Sequence, residues 1–374
     1  MNEASWQQVR QEFPVTEHTA YLNSAASGPM PGFVAEAAQK FYREMMESGD
    51  RHWEEWRARR EATRVNLAKM INAEPEEIGI TTNTSIGMNL IADALEERGE
   101  VISCELEFPV STVPWMHRGV RVHFTKTPDG VLHEDRVCQA MTNKTGTIVI
   151  SHVQYSNGAR TPLEEIGARK GSHALVVNVS QSAGVLPIDV RRMHIDALCA
   201  TGHKWMLSGY GSGFVYMSRE LLERTRPRQI SWMSVEDPFA MRNSEYVLRT
   251  DMAARSEIGV PHFAGIFALG ASVDYLMKLG ISNIEGRALA VNRHLTASLA
   301  DAGWKVLSPL RDEATRSAET LVELENPARV MAHLSRRGVA VTQKPEGIRV
   351  ATHFFNNEAD ITRLIQALNE ARQL

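Results

Sequence analysis

The feature that most constrains the fold of this chain is a regular alternation between short apolar runs and stretches with helical periodicity. The apolar runs are rich in β-branched residues, and most of them are apolar at every position, which is typical of strands covered on both faces. They predict strands over residues 78–82, 101–104, 120–125, 147–152, 174–179, 197–200 and 213–217. Helical patterns between them predict helices over 54–71, 85–96, 162–171 and 190–194.

This order of strand and helix predicts an α/β fold with a mostly parallel sheet between layers of helices. From residue 260 the pattern changes to one long helix through residue 279 and a second over 283–302. A mixture of strand and helix follows from residue 304 to the end. We therefore expect a smaller C-terminal domain of α+β type after the large sheet.

Charge and apolar patterning argue against nucleic acid and membrane partners. The 41 Lys and Arg residues are balanced by 45 Asp and Glu residues, and no extended basic stretch matches a phosphate backbone. Residues 1–13 carry charges where a secretion signal has an apolar core. The longest apolar stretch, residues 263–280, contains Asp274 and Lys278 and predicts a buried helix.

The three cysteines, Cys104, Cys138 and Cys199, are odd in number and widely spaced. They form no CxxC pair of the kind found in zinc sites, and they predict no disulfide framework. The 13 histidines include no His-Glu-x-x-His pair, so we expect no metal centre. This cysteine usage predicts a reducing compartment and therefore a cytoplasmic protein.

The segment with the most chemical information is Ala200-Thr201-Gly202-His203-Lys204-Trp205, directly after an apolar strand. A lysine at that point lies at the carboxyl end of a strand, where open α/β sheets bind their ligands. A lysine amine becomes a nucleophile for carbonyl groups when burial and neighbouring cations lower its pKa. Taken alone, however, the segment fits a solvated lysine beside a turn better.

Two further strand ends carry polar residues. Residues 176–184 run from a buried strand into a loop with Ser180, Gln181 and Ser182, about two dozen residues before Lys204. Residues 81–89 lead from a strand into an amphipathic helix, whose free N–H groups suit a phosphate together with the hydroxyls of Thr84 and Ser85. On its own, Thr84 fits an ordinary helix N-cap.

Together, these three elements resemble the class V aminotransferase family of pyridoxal-phosphate enzymes, which have fold type I and include isopenicillin N epimerases and cysteine desulfurases. Further segments carry the resemblance along nearly the whole chain: residues 20–26, 107–109, 152–158, 347–350 and 354–357. The resemblance implies a seven-stranded sheet, a homodimer and an amino-acid substrate. It also implies an N-terminal segment 1–25 packed near the active site, a large cofactor-binding domain 26–260, and a linking helix with a small domain over 261–374.

The same resemblance implies roles for individual residues around the cofactor. Lys204 would hold pyridoxal phosphate as a Schiff base and then move the α-proton of the substrate. Gln181 would donate a hydrogen bond to the 3'-oxygen of the cofactor ring, with Tyr155 in the same region. The phosphate would be bound by a set of hydroxyl and imidazole side chains: Thr84, Ser85, Thr201 and His203.

Three more residues follow from the resemblance on the substrate side and at the dimer interface. Arg349 would bind the α-carboxylate, because a guanidinium matches a carboxylate with two parallel hydrogen bonds, although local sequence fits a surface arginine equally well. Asn23 would assist it. At Val260, relatives usually carry a threonine that reaches the partner subunit's phosphate, so this chain would contribute only a backbone N–H there.

Two positions depart from the family pattern around the pyridine ring. Phe108 stands where many relatives place a stacking histidine, so stacking would be kept without an imidazole, and without the family Phe108 would be read as a core residue. Asn178 stands where the family carries an aspartate against the pyridine nitrogen. A neutral amide does not keep that nitrogen protonated, and a loss of about 3 kcal/mol would slow α-proton abstraction roughly a hundredfold.

The sequence thus predicts a pyridoxal-phosphate enzyme acting at the α-carbon of an amino acid by transamination, epimerisation or β-elimination, with Asn178 favouring the latter two. Because no cysteine follows Cys199, persulfide-forming desulfurization is disfavoured. The alternative is a binding or structural homologue that has lost turnover through Asn178. A nucleotide-binding protein would rest only on the glycines of residues 209–213, which precede a strand rather than a helix. No Gly-x-Ser-x-Gly elbow supports a serine hydrolase.

Overall fold

The large sheet occupies the first two thirds of the chain. The computed structural model describes residues 1–372. Its principal sheet has seven strands in the order β2-β8-β7-β6-β5-β3-β4, and only β8 runs antiparallel to its neighbours. The strands of the described chain are β1 (Ala20–Tyr21), β2 (Ile78–Thr81), β3 (Glu100–Cys104), β4 (Val122–Thr125), β5 (Thr145–Ser151), β6 (Ala174–Asn178), β7 (Ala197–Thr201), β8 (Gly213–Met217), β9 (Glu319–Glu323), β10 (Val339–Ala340), β11 (Thr342–Lys344) and β12 (Gly347–Ala351).

Central strands are buried at every residue, as their continuous apolar sequence predicts. Every residue of β5, β6 and β7 is buried, because helices cover both faces of the sheet. The parallel register pairs Ser151 with Asn178 and Asn178 with Cys199. The carboxyl ends of these three strands therefore lie side by side at one edge of the sheet.

Helices fill the connections between strands and cover the sheet. They are α1 (Glu3–Arg10), α2 (Gly32–Ser48), α3 (Trp53–Ile71), α4 (Thr84–Leu95), α5 (Val113–His117), α6 (Glu134–Ala140), α7 (Leu163–Arg169), α8 (Arg219–Arg224), α9 (Ala253–Ser256), α10 (Phe263–Leu279), α11 (Ile281–Asp301), α12 (Pro327–Arg336) and α13 (Glu358–Ala371). Local signals set several ends: α3 stops at Asn72 in the left-handed conformation, and α13 begins with a capping box between Asn357 and Asp360.

A second, smaller layer is built from the two ends of the chain. Strands β11, β12 and β9 form an antiparallel sheet, and the N-terminal strand β1 pairs in parallel with β10. Ala20 and Leu22 accordingly pack in the same apolar cluster as α11, α12 and α13. The predicted α/β fold of type I with a smaller α+β C-terminal part is confirmed, whereas the predicted domain boundaries stay predictions.

Helix predictions differ from the structure in one place. Residues 190–194 form a turn rather than a helix, and His194 has a positive φ of 50°. The turn is held by the N–H of Val190 donating to the carbonyl of Ile71 and that of Ile195 donating to Val190. The apolar spacing that predicted a helix reflects burial of Val190, Met193 and Ile195 in the core instead.

The apolar stretch 263–280 forms α10, as predicted, and its buried side chains belong to the main core. Among residues 1–372, no single helix is long and apolar enough to cross a membrane. The pair α10 and α11 passes that test only when both helices are taken together, and they are bent by 80°.

Candidate active site

A cleft of about 200 Å³ opens at the carboxyl edge of the large sheet. Its walls come from the segments after β2, β3, β5, β6 and β7, so each wall follows a strand end. The lining residues are Asn83, Thr84, Ser85, Phe108, Val110, Ser151, Val153, Tyr155, Asn178, Ser180, Gln181, Thr201, His203 and Lys204. Nine of the residues predicted for the site are among them, which brings the predicted cofactor side together in one place.

Lys204 lies on a loop whose backbone is tightly fixed. The N–H of Gly202 donates to the carbonyl of Ser212 (2.8 Å), and the N–H of Ser208 returns to the carbonyl of Gly202 (2.9 Å). Leu207 in this loop has a positive φ of 57°, an uncommon conformation for a β-carbon-bearing residue. A strained, over-determined backbone of this kind is typical of functional sites.

The N-terminal segment packs directly on the lysine loop. The N–H of Gly28 donates to the carbonyl of His203 (2.8 Å). A β-carbon at Gly28 would lie 2.2 Å from the carbonyl oxygen of Lys204, so only glycine permits this approach. Gly28, which follows the predicted N-terminal segment 1–25, therefore contacts the backbone that presents Lys204, and the packing role of residues 1–25 stays a prediction.

The charge state of Lys204 is set by its surroundings. Burial lowers the pKa of its amine to about 8, and the nearby cations Arg349 and Lys344 act in the same direction while Glu319 opposes them. The amine lies 5.9 Å from the ring centre of Phe108. A neutral amine is consequently far more populated near neutral pH than for an exposed lysine, which makes Lys204 a nucleophile. The solvated-lysine interpretation is wrong because this side chain is largely enclosed.

One end of the cleft presents hydroxyl and backbone donors. Helix α4 points its N-terminus into the cleft, and its cap is Asn83, whose Oδ1 accepts from the N–H of Ile86 (3.0 Å). Thr84 is therefore the first helical residue and not the cap, and its Oγ1 lies 2.6 Å from Oγ of Ser180. Capping by Asn83 leaves the Thr84 and Ser85 side chains available to a ligand.

His203 completes this end of the cleft. Its Nδ1 lies 2.7 Å from Oγ1 of Thr201, and its ring stacks on Tyr210 at a centroid distance of 4.5 Å. Burial, reinforced by the charge of Lys204, lowers the pKa of His203 to about 4. The imidazole is thus neutral at physiological pH, so it binds an anion by hydrogen bonding rather than by charge.

Gln181 is held in a fixed orientation beside the lysine loop. Its Oε1 accepts from the indole N–H of Trp205 (2.8 Å), and its Nε2 donates to the carbonyl of Ala25 (3.1 Å). Because a carboxamide has two N–H groups, one donor stays available for a ligand. The prediction that this donor contacts the cofactor's 3'-oxygen stays a prediction with compatible geometry.

Asn178, at the end of β6, has its amide oriented by two neighbours. Oδ1 accepts from the N–H of Ser180 (3.1 Å), which identifies Nδ2 as the atom 3.2 Å from Oγ of Ser111. The hydroxyl of Ser111 in turn bonds to the buried carboxyl of Glu107, whose pKa burial raises. Asn178 thus presents a neutral amide at the position where the resemblance implies a carboxylate. Its neighbour Ser111 is also hydrogen-bonded within the protein, to Glu107.

Phe108 and Tyr155 form an aromatic wall of the cleft. Phe108 is 46% exposed and meets Tyr155 edge-on at a centroid distance of 5.0 Å. Reading Phe108 as a core residue is therefore wrong, since its ring faces the cleft. A ring in that place fits the stacking role that the resemblance implies.

Arg349 lies beside this wall but does not line the cleft itself. It is buried on β12, and its Nη1 donates to the carbonyl of Tyr155 (3.0 Å) and lies 3.4 Å from a carboxylate oxygen of Glu319. Its Nε has no hydrogen-bond partner within the described chain. The surface-arginine alternative is wrong, and a buried guanidinium with an unused donor is a reasonable site for a substrate carboxylate.

Asn23 and Val260 lie outside the cleft. Asn23 bridges to Ala351 at the small sheet, and its Oδ1 accepts from the hydroxyl of Thr342, so it supports the strand before Arg349 rather than reaching the cleft. Val260 is 65% exposed and lines a separate cleft with Ile86, on the outer side of the α4 N-terminus. Their predicted roles in substrate binding and at a dimer interface stay predictions.

Sequence reasoning missed two charged residues and one contact residue of this site: Glu319, Lys344 and Gly28. Glu319 stands at the start of an ordinary apolar strand and Lys344 precedes a Pro-Glu turn, so neither carries a local signal. Gly28 does carry one, because the Ser-Gly-Pro sequence marks a special backbone position. Within residues 1–372, no three metal-ligating side chains come together.

The donor set of the cleft fits pyridoxal phosphate. Hydroxyls and a helix N-terminus suit the phosphate, a lysine amine with lowered pKa suits the aldehyde, and an aromatic face suits the ring. No carboxylate is among the described residues that line the cleft, so none would repel the phosphate. Asn178 offers an amide where the resemblance implies an aspartate beside the ring nitrogen, so its role there stays a prediction.

Comparison with known proteins agrees with this geometry. The sequence model described as Aminotransferase class-V matches residues 20–365. The chain is 26% identical over 368 residues to the uncharacterized aminotransferase YcbU of Bacillus subtilis, which covers 97% of both chains. It is also 26% identical to the isopenicillin N epimerase of Amycolatopsis lactamdurans, covering 98% of both. A probable cysteine desulfurase of Methanothermobacter thermautotrophicus is 30% identical over 78% of this chain and 75% of its own.

Solved structures show the same fold. The apo cysteine desulfurase of Thermococcus onnurineus superposes with a TM-score of 0.88 at 23% identity, over 98% of both chains. The cystine C-S lyase C-DES, solved with its product cysteine persulfide, superposes with a TM-score of 0.84 at 21% identity, over 95% of this chain and 98% of its own. The fold and cleft define a pyridoxal-phosphate enzyme of fold type I. The chain belongs to the class V aminotransferase family, and its cofactor is pyridoxal phosphate.

Proposed function

We propose that this enzyme acts at the α-carbon of an amino acid, by β-elimination or epimerisation in preference to transamination. When bound, the cofactor supplies an aldehyde and an electron-accepting ring. The observation that carries the proposal is the Lys204 amine, whose pKa is lowered to about 8, between a phosphate-binding end and the guanidinium of Arg349. That arrangement suits a proton transfer at a carbon whose carboxylate is held by an arginine.

Each group of the cleft has a part in this proposal. Thr84, Ser85 and the neutral imidazole of His203 would hold the phosphate by hydrogen bonds. The Gln181 amide would fix the ring's oxygen, and Phe108 would stack on its face. Arg349 would orient the α-carboxylate so that the α-hydrogen faces the Lys204 amine, which removes the proton as a general base.

Asn178 supports elimination or epimerisation over transamination. A neutral amide would not keep the pyridine nitrogen protonated as a carboxylate does, so the ring would accept less negative charge from the substrate. Expulsion of a leaving group from Cβ depends less on that stabilisation than transamination does. The internal hydrogen bonds from Ser180 and to Ser111 keep the amide in place without a charged partner.

We also propose that the enzyme does not form a persulfide on its own cysteine. Cys104 and Cys199 are buried, and burial raises the pKa of the Cys104 thiol to about 12. The segment after Cys199 contains no cysteine, and β11 returns into β12 through the two-residue turn Pro345-Glu346 beside Arg349. Cys138, on α6, is only partly buried, but none of the three cysteines lines the cleft within residues 1–372.

A cytoplasmic homodimer completes the proposal. Val260 and Ile86 are 65% and 47% exposed and line one cleft next to the phosphate end. Covering these apolar side chains with a second subunit would place the partner near the N-terminus of α4. Light scattering on the purified holoenzyme measures the subunit number directly, and a monomer would contradict this part.

The experiment that tests the reaction is incubation of the holoenzyme with pooled amino acids in deuterated water, followed by mass spectrometry of the products. Deuterated amino acid of inverted configuration indicates epimerisation, and a fragment without its Cβ substituent indicates elimination. A keto acid that keeps its Cβ substituent as the main product would indicate transamination and contradict the preference, whereas elimination releases a keto acid without that substituent, together with ammonia. Borohydride reduction should fix the cofactor mass on the peptide that contains Lys204, and a protein that stays unmodified would contradict the whole proposal.

The alternative function, a homologue that has lost turnover, rests on the Asn178 amide. The variant Asn178→Asp separates the two. A large gain in α-proton exchange with many amino acids would favour the alternative, whereas loss of a native activity would show that the amide is adapted to the reaction. The absorbance of the bound cofactor, followed against pH, shows independently whether the new carboxylate changes the protonation of the ring.

A further inference from the structure

We propose that Lys344 binds an anionic group on the substrate side chain, so that the preferred substrates are α-amino acids with a second acidic group. This inference rests on the proposed function and names its substrate class. Lys344 is the last residue of β11, and Arg349 lies two residues into β12 across the same hairpin. The hairpin thus brings two cations to Tyr155, which lines the cleft, although neither cation lines the cleft itself.

A chain of contacts connects Lys344 with the reacting end of the cleft. Its Nζ lies 4.2 Å from the ring centre of Tyr155, Tyr155 meets Phe108 at 5.0 Å, and the Lys204 amine lies 5.9 Å from the centre of Phe108. Tyr155 and Phe108 both line the cleft. The Lys344 amine is therefore at the aromatic wall, near enough to Lys204 for its charge to affect that amine.

Lys344 has no anionic partner of its own. Within residues 1–372 its side chain forms no ion pair and no hydrogen bond, and its Nζ lies over the face of Tyr155. Glu346, across the turn, is exposed and forms no ion pair with it. Burial lowers the pKa of Lys344 to about 8, and the charge of Arg349 acts in the same direction, while the more distant charges of Glu319 and Glu346 act against it.

The balance of charge around the substrate position favours a second anion. Within residues 1–372, the side chains of Lys344 and Arg349 share one buried carboxylate, that of Glu319, which lies within 3.4 Å of Arg349, while Glu346 is exposed at the turn. Burial raises the pKa of Glu319 to about 7, so part of that carboxylate is neutral near physiological pH. An α-carboxylate on Arg349 would still leave Lys344 uncompensated.

The chemistry of lysine defines the substrate class. An ammonium group is a compact charge that pairs with a carboxylate, sulfonate or phosphate without a fixed geometry. The guanidinium of Arg349, with its fork of donors, is better suited to the planar α-carboxylate. A neutral side chain would leave the Lys344 ammonium without a partner in a partly desolvated site, which is unfavourable for binding.

The test is a spectroscopic titration of the holoenzyme, in which binding is read from the change in visible absorbance of the cofactor. L-aspartate, L-glutamate and O-phospho-L-serine are compared with the neutral isosteres L-asparagine, L-glutamine and with L-serine. Since one charge-assisted contact separates the members of each pair, we expect the acidic member to bind about tenfold to a hundredfold more tightly.

The variant Lys344→Met should remove this preference by weakening the acidic members of each pair and not the neutral ones, and Lys344→Arg should retain most of it. Lys69→Met, at an exposed lysine at the end of α3, is the matched control and should keep it in full. Equal affinities for the two members of each pair in the unmodified enzyme overturn the inference without any variant. An equal loss for acidic and neutral ligands in Lys344→Met also overturns it.

The titration distinguishes a wrong substrate class from a wrong proposed function. If neutral amino acids perturb the cofactor as strongly as acidic ones, the substrate class is wrong and the proposed function stands. If no amino acid perturbs the cofactor of a yellow holoenzyme, the proposed function is wrong, and the inference about Lys344 falls with it.

Discussion

The two sides of the cleft differ in how their polar groups are satisfied. On the cofactor side, Gln181, Asn178 and Thr84 are each hydrogen-bonded to a neighbour. On the substrate side, within residues 1–372, Glu319 accepts no hydrogen bond on either oxygen, and the Nε of Arg349 has no partner. A permanently bound cofactor needs a preorganised site, whereas a substrate that comes and goes supplies the missing partners itself.

The two sides of the cleft therefore have different energetic roles. The cofactor side resembles a finished polar network, in which removing one member costs about one hydrogen bond. The substrate side holds buried charges whose favourable pairing waits for a ligand, so changing one member has a larger effect. Single substitutions on the substrate side are therefore expected to have larger effects than those on the cofactor side.

The largest effect is expected for Lys204→Ala, which removes the group that both sides serve. Because a positioned general base contributes about a hundredfold to ten-thousandfold, turnover should fall by at least that factor. Intact-mass spectrometry after borohydride treatment should show no added cofactor. Noncovalent cofactor binding should persist, since the phosphate end is unaltered, and its complete loss would show that the hydroxyl groups do not hold the phosphate.

Arg349→Gln should have the next largest effect and should act on the substrate side alone. Removing one partner of a buried ionic pair costs about 2 to 5 kcal/mol, so amino-acid binding should weaken by at least about thirtyfold. Cofactor affinity, measured by fluorescence titration of the apoenzyme, should change little. An equal loss in both affinities would break the comparison between the two sides.

The pH dependence of cofactor attachment sharpens the comparison. Attachment requires the neutral amine of Lys204, whose pKa is lowered to about 8, so the rate should rise as pH increases through about 8 and level off above it. In Glu319→Gln the midpoint should move to lower pH, because the carboxylate that favours the ammonium form is lost. Stopped-flow absorbance from pH 6 to 10 measures both curves, with Glu323→Gln as an exposed control on the same strand.

The smallest effect is expected for Thr84→Val on the cofactor side. The change removes the hydroxyl that lies 2.6 Å from Ser180 and one potential donor to the phosphate. A loss of about 1 kcal/mol corresponds to roughly fivefold weaker cofactor binding. Equilibrium dialysis measures it, and substrate affinity of the saturated holoenzyme should stay the same. A loss above a hundredfold would mean that the network is less redundant than the geometry indicates.

The cofactor side was predictable because its residues follow strands in sequence. Asn178 ends β6, and the lysine loop follows β7, so the parallel pairing of these strands brings their carboxyl ends together without further information. The apolar runs also identified every strand of the large sheet to within about two residues. Residues 190–194 were misjudged because burial of a turn produces the same apolar spacing as a short helix.

The amino-acid sequence alone was enough to predict the layered fold and the place of Lys204 after a strand end, because these depend on local apolar patterning and on motifs along one strand. Only the tertiary structure decided that Glu319, Lys344 and Arg349 meet Lys204. More than a hundred residues of the chain separate Lys204 from these three side chains. Packing of the small sheet against the large one leaves no periodic signal in the sequence. Their charges, on which the proposed substrate class rests, act together only because folding brings them close to one another.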